Sequence, residues 1–110
     1  MVKPGIVVTV DFPGAQGIKR RPALVISTDI YHAARPDVVL AVITSQTRTA
    51  TAPTDYVLQD WAAAGLHSPS AFRAYLATLP ATSIAAVIGQ LSDRDWLEVQ
   101  TRLRIALAVS

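Results

Sequence analysis

The sequence predicts a small, mainly β domain: an antiparallel, partly closed barrel with short helical additions and one C-terminal helix. Three observations carry this. β-Branched and aliphatic residues gather in five to seven short runs separated by Pro, Gly, Ser and Thr, the pattern of short strands joined by turns. Spacing of helical type appears for a long segment only once, near the C-terminus. The chain has 110 residues, 51% of them hydrophobic, which suits one domain over 1–110 with a single core.

Taken in order, residues 5–11 open the series. Ile6-Val7-Val8-Thr9-Val10 reads as a well-buried strand, and Pro13-Gly14 ends it. Residues 14–20, increasingly basic, read as a flexible loop. Residues 22–27, Pro-Ala-Leu-Val-Ile-Ser, form a second strand, with proline at the first position, where no ladder N–H is needed. Residues 29–34 make a short helical turn that Pro36 closes. The third strand, 37–44, is the most apolar. A Thr-rich polar loop over 45–53 precedes a short strand at 54–58, and two Ala-containing strands follow at 70–77 and 84–90. Then Ser92-Asp93-Arg94-Asp95 forms a Ser-x-x-Asp capping box, and Leu91 is placed to staple onto Trp96. Trp96, Val99, Leu103, Ala106 and Leu107 share one face of a helix over 92–108.

Composition excludes several classes. No apolar run reaches the roughly 18–20 residues of a membrane span, and the N-terminus has no secretory h-region, so a cytoplasmic protein is expected. The absence of cysteine removes disulfides, thiolate zinc sites and a cysteine nucleophile. The carboxylates are scattered without a His/Cys grouping, so no metal is expected. Ser27 and Ser45 have no His–Asp signature around them, and a hydrolase triad is not indicated. Ten Lys+Arg against eight Asp+Glu leave a net charge of +2, too little for a nucleic-acid claim without a cluster. The cluster is Lys19-Arg20-Arg21. Between Trp61 and Ser92 the one formally charged residue is Arg73. That neutral stretch, with Leu66, Phe72, Leu76, Leu79, Ile84, Val87 and Ile88, predicts a homodimer interface.

Three ordered segments point further. They are Pro4-Gly5-Ile6-Val7-Val8 leading to Asp11-Phe12-Pro13, then residues 19–27 (Lys-Arg-Arg-Pro-Ala-Leu-Val-Ile-Ser), then Ala41-Val42-Ile43-Thr44-Ser45-Gln46. Gly65-Leu66 with Pro69-Ser70 and Arg73, and Gly89-Gln90-Leu91-Ser92-Asp93 leading into the helix, extend the series. Over essentially the whole chain it resembles the MazF/PemK family of toxins from bacterial type II toxin–antitoxin systems. The resemblance implies an SH3-like barrel of the MazF/Kid/CcdB type, assembled as a homodimer. It implies a ribosome-independent endoribonuclease that cuts single-stranded mRNA at short motifs without a metal or other cofactor. The implied partner is a small acidic antitoxin lying across the RNA groove, with operator DNA reached only through that antitoxin. The family's Arg-Pro arginine matches Arg21, its Ile-Thr-x-Gln threonine matches Thr44, and its later-strand arginine matches Arg73. Some members carry an aspartate two residues further on, where this chain has Tyr75. A catalytically silent homologue, acting as a corepressor with its antitoxin or as a CcdB-like gyrase poison, is the alternative.

Metal-free RNA cleavage uses the 2′-hydroxyl as internal nucleophile. The protein must take its proton, stabilise a doubly charged phosphorane and help O5′ depart. Arginine matches two phosphate oxygens and stays cationic, which makes it a stabiliser and a poor proton carrier. Arg21 is therefore expected to stabilise the phosphorane, and Thr44 to present a hydroxyl to the phosphate or the 2′-OH. Lys19 and Arg20 are expected to position phosphates, and Ser45, Gln46 and Arg48 to position or read the RNA. Arg73 serves equally well as an RNA contact or as the partner of a buried carboxylate. His32 reads as a surface residue. His67 has the right chemistry for proton transfer, but one loop histidine defines no site. Tyr56 and Trp61 can stack bases, though core packing explains them more simply, as it does Trp96.

Overall fold

The computed structural model describes residues 2–14 and 17–109. The elements are β1 (Ile6–Gly14), β2 (Gly17–Val25), α1 (Asp29–Ala34), β3 (Asp37–Thr44), β4 (Tyr56–Val57), β5 (Ala71–Pro80), β6 (Ile84–Gln90) and α2 (Asp93–Ala106). Six strands form one antiparallel sheet in the order β4-β5-β3-β2-β1-β6, a curled half-barrel closed by the C-terminal helix, as the sequence predicts. No helix among the described residues is long and apolar enough to cross a membrane.

The central strands are apolar because both their faces are buried. Alternation sends Val7, Leu24, Ala41 and Ile43 to one side, under Trp96, Val99 and Leu103 of α2. Val8, Val10, Ala23, Val25, Val38 and Leu40 go to the other, where Phe12, Leu79 and Ile84 cover them. Near-continuous apolar runs follow from this two-sided burial. Ser92 caps α2 by accepting the Asp95 N–H at 3.3 Å, and Leu91 and Trp96 meet in the first cluster.

Several expectations are corrected. Residues 17–20 are not loop: β2 begins at Gly17, and the register runs Asp11↔Arg20 and Phe12↔Lys19. This part of the hairpin leaves the core, so its polar residues are solvated strand positions that look like loop. An ion pair holds it, with Arg20 Nε and Nη2 donating to the Asp11 carboxylate at 2.8 and 3.1 Å. The remaining strands shift by a few residues at their ends: β4 contracts to Tyr56–Val57 and β5 extends to Pro80. Phe72 is fully buried and Leu66 is 8% exposed in this chain's own core. Neither is available to a partner subunit. The rest of the neutral stretch is mostly half-buried or exposed, with Tyr75 and Val87 at 72% and 57% exposed.

His32 is not a simple surface residue. It is half-buried, with Nε2 2.6 Å from Ser27 Oγ, and that oxygen accepts the Val39 N–H at 2.9 Å. Ser27 thus has a histidine partner that its sequence neighbourhood did not announce, while His32 Nδ1 is buried without a hydrogen bond among the described residues. Tyr56 is interior as well.

Candidate active site

Arg21 and Thr44, 23 positions apart, line one cleft of about 360 Å³ with Ser45 and Gln46. Sheet order brings them together: β2 and β3 are hydrogen-bonded neighbours, Arg21 precedes their paired segment and Thr44 ends β3. Successive strand residues face opposite ways, so Arg20 turns to Asp11 while Arg21 is left for the cleft. Arg21 is the one formally charged side chain lining the cleft, and it has no ion pair among the described residues. Thr44 Oγ1 accepts the Gln46 N–H at 3.1 Å. That occupies a lone pair and leaves the hydroxyl proton free to donate to a ligand oxygen.

The opposite wall comes from residues 59–70, which contribute Leu66, His67, Ser68 and Ser70. These side chains were not assigned to the site from sequence. Their loop is fixed by long-range contacts. Leu58 N–H donates to Ser70 C=O at 2.9 Å and closes its ends, next to the Thr44↔Ala71 pair. Asp95, fully buried, accepts the Gln59 N–H at 3.1 Å, the Asp60 N–H at 2.8 Å and the Tyr56 hydroxyl at 2.6 Å. The carboxyl that reads as half of a capping box is thus the seat of the loop, and the positive N-terminal end of α2 favours its charge there.

Burial and the bond to Asp95 push the Tyr56 hydroxyl up to about 12. Arg94 donates two 2.7 Å bonds to Asp60, and Ser92 Oγ donates a third at 2.6 Å. The Arg94 bonds, then that of Ser92, hold the Asp60 carboxyl down to about 2. Gly65 and Gly89 let the loop lie against β6: a Cβ on Gly65 would collide with the Ile88 carbonyl, and one on Gly89 with the Ala64 carbonyl. Gly65 also has φ +89, a region that favours glycine.

The remaining candidate residues lie elsewhere. Lys19 and Arg48 are exposed and do not line the cleft. Arg20 is engaged by Asp11. Arg73 lines a separate groove with Tyr75, where its Nε is 3.5 Å from the buried Asp55 carboxylate, the carboxylate-partner alternative for that residue. Among the described residues no three His, Cys, Asp or Glu side chains converge to hold a metal ion.

The half-barrel and its cleft, with one unpaired arginine among the described residues and a hydroxyl wall, define a small β protein with a polar groove of positive charge. The family model for the PemK-like, MazF-like toxin of type II toxin–antitoxin systems matches residues 3–107. The chain belongs to this family. Similar solved structures include an endoribonuclease in complex with its cognate antitoxin from a Mycobacterial species (20% identity, TM-score 0.80, covering 100% of this chain and 98% of that one). The Mycobacterium tuberculosis toxin MazF-mt6 is similar at 19% identity, with TM-score 0.76 and coverage of 98% and 99%. The Deinococcus radiodurans MazE–MazF structure (Form-III) is similar at 23% identity, with TM-score 0.79 and coverage of 99% and 98%. At such identities these likenesses show the fold. No curated protein matches the chain in sequence at a significant level.

Proposed function

We propose that this single-domain toxin is an endoribonuclease that cleaves single-stranded mRNA at specific sequences, without a metal, by attack of the 2′-hydroxyl on the adjacent phosphodiester. One observation carries the reading: the cleft joins an unpaired arginine to an oriented threonine hydroxyl. Arg21 stabilises the phosphorane with its planar fork. The Thr44 hydroxyl donates to a phosphate oxygen, and Ser45 and Gln46 hold the neighbouring nucleotides. Lys19 and Arg48, both exposed, extend a positive surface that steers the RNA and receives the acidic segment of an antitoxin. Operator DNA is met through that antitoxin, and the protein acts in the cytoplasm. A homodimer is supported by apolar side chains that remain on the surface, among them Val87 and Leu97 at 57% and 62% exposed.

The test is incubation of the purified protein with a long single-stranded RNA of mixed sequence in excess EDTA. Discrete fragments with 2′,3′-cyclic phosphate and 5′-hydroxyl ends are expected. Intact RNA would favour the catalytically silent homologue, and cleavage restored only by a divalent cation would remove the metal-free mechanism.

A further inference from the structure

We propose that His67 is the proton acceptor of this cleft, the group that takes the 2′-hydroxyl proton; the assignment rests on the endoribonuclease reading above. Arg21 stabilises charge but keeps its own protons. The rest of the polar lining is hydroxyl and amide, which accept no proton near neutral pH. No carboxylate lines the cleft among the described residues, and nearby acidic groups are engaged elsewhere: Asp11 by Arg20, Asp55 by Arg73, Asp60 by Arg94. What the site lacks is a base, and His67 is the one lining side chain of the type most often used as a general base.

Placement meets the other requirement. His67 is exposed, so its imidazole is open to a ligand, while its backbone sits in a loop held at both ends. Asp95 fixes residues 59 and 60, and the Leu58–Ser70 bond fixes the far end. Ser70 Oγ donates to Ser68 C=O at 2.8 Å, beside His67. A base must be reachable and held near the reacting atoms; this one is open to a ligand and carried on a loop pinned at both ends. The formal charge lining the cleft with it is Arg21 from β2; β3 and β6 contribute none.

In the step, the O2′ lone pair forms the bond to phosphorus as the O2′ proton moves to an imidazole nitrogen. The P–O5′ bond breaks with its electron pair on O5′, which takes a proton from water. The imidazolium then gives its proton to the hydroxide so formed, restoring the neutral histidine.

The experiment compares wild type with His67→Gln and His67→Ala in single-turnover cleavage of a long mixed-sequence RNA in EDTA, from pH 5 to 8.5. Wild type should show a rate that rises with pH and then levels, as expected where a general base must be unprotonated. His67→Gln should lose that limb and fall about 10²–10⁴-fold in rate. His67→Ala should regain activity when imidazole is added to the buffer, and both variants should keep wild-type circular dichroism and RNA retention. Wild-type protein that leaves RNA intact would overturn the endoribonuclease reading and this assignment together. Wild-type cleavage with a His67→Gln protein that keeps both the rate and the limb would overturn the role of His67 alone.

Discussion

Replacing Asp95 by alanine tests how the cleft wall is held. Its carboxylate accepts from the Tyr56 hydroxyl and from two backbone N–H groups, at 2.6, 3.1 and 2.8 Å, and the side chain is fully buried. A donor left without an acceptor in the interior costs about 1–3 kcal/mol, so three donors bound the loss at roughly 3–9 kcal/mol. Gln59 is exposed and Asp60 half-buried, so water can replace the carboxylate there. Removing an interior charge also recovers some desolvation. The expected loss therefore lies near the low end, about 3–4 kcal/mol, a large share of a typical 5–15 kcal/mol stability.

Asp95→Asn keeps one acceptor but turns an amide N–H toward a donor, and should lose about 1–3 kcal/mol. The assay is urea denaturation at one fixed protein concentration, because a dimer's stability depends on concentration. It is paired with hydrogen exchange at the Gln59 and Asp60 amides, which should accelerate in Asp95→Asn while the amides of β1 and β2 keep their protection. An Asp95→Ala protein within about 1 kcal/mol of wild type, less than one lost interior bond, would refute the claim that this carboxylate seats the loop.

Two further outcomes concern the same region. Gly65→Ala should cost at least about 2 kcal/mol in the same urea assay, from left-handed backbone strain and collision with the Ile88 carbonyl together; a neutral result would mean the loop does not rest on β6 as described. The raised Tyr56 hydroxyl means that its folded form holds the proton up to about pH 12, whereas an unfolded tyrosine releases it near pH 10. Its contribution is full below about pH 10 and is lost as pH rises to about 12. The urea midpoint should therefore fall over that interval, and more steeply in wild type than in Tyr56→Phe.

The three central strands are legible because burial on both faces writes apolar runs, and their β-branched residues and flanking Pro and Gly mark those runs as strands. The outer half of the β1–β2 hairpin is not. Lys19, Arg20 and Arg21 look like a solvated loop until Asp11 is seen opposite Arg20, and that pairing depends on a register that periodicity does not reveal. Asp95 fits a capping box by spacing, yet its side chain serves residues 35 to 39 positions away. Local sequence carries no mark of that. Arg21 and Thr44 stand out through a resemblance covering the whole chain, and the fold explains their company by placing β2 beside β3. His67 escapes a strand-by-strand reading because its loop reaches the cleft through contacts with α2 and β6. One signal was present in the chain: it is the only histidine in the long neutral stretch, three residues before Ser70.

The claim that this cleft cuts RNA through Arg21 is tested most directly by single-turnover cleavage with saturating enzyme, comparing wild type, Arg21→Ala, Arg21→Lys and Arg20→Ala. Arg21→Ala should fold normally and lose a factor of about 10²–10³ in rate, the effect of removing one preorganised donor from a developing charge. Arg21→Lys should also be badly impaired, because the planar fork is gone. Arg20→Ala removes a guanidinium already bound to Asp11, so it should keep the chemical step. Wild-type cleavage by Arg21→Ala, beside an inactive Arg20→Ala, would contradict the account.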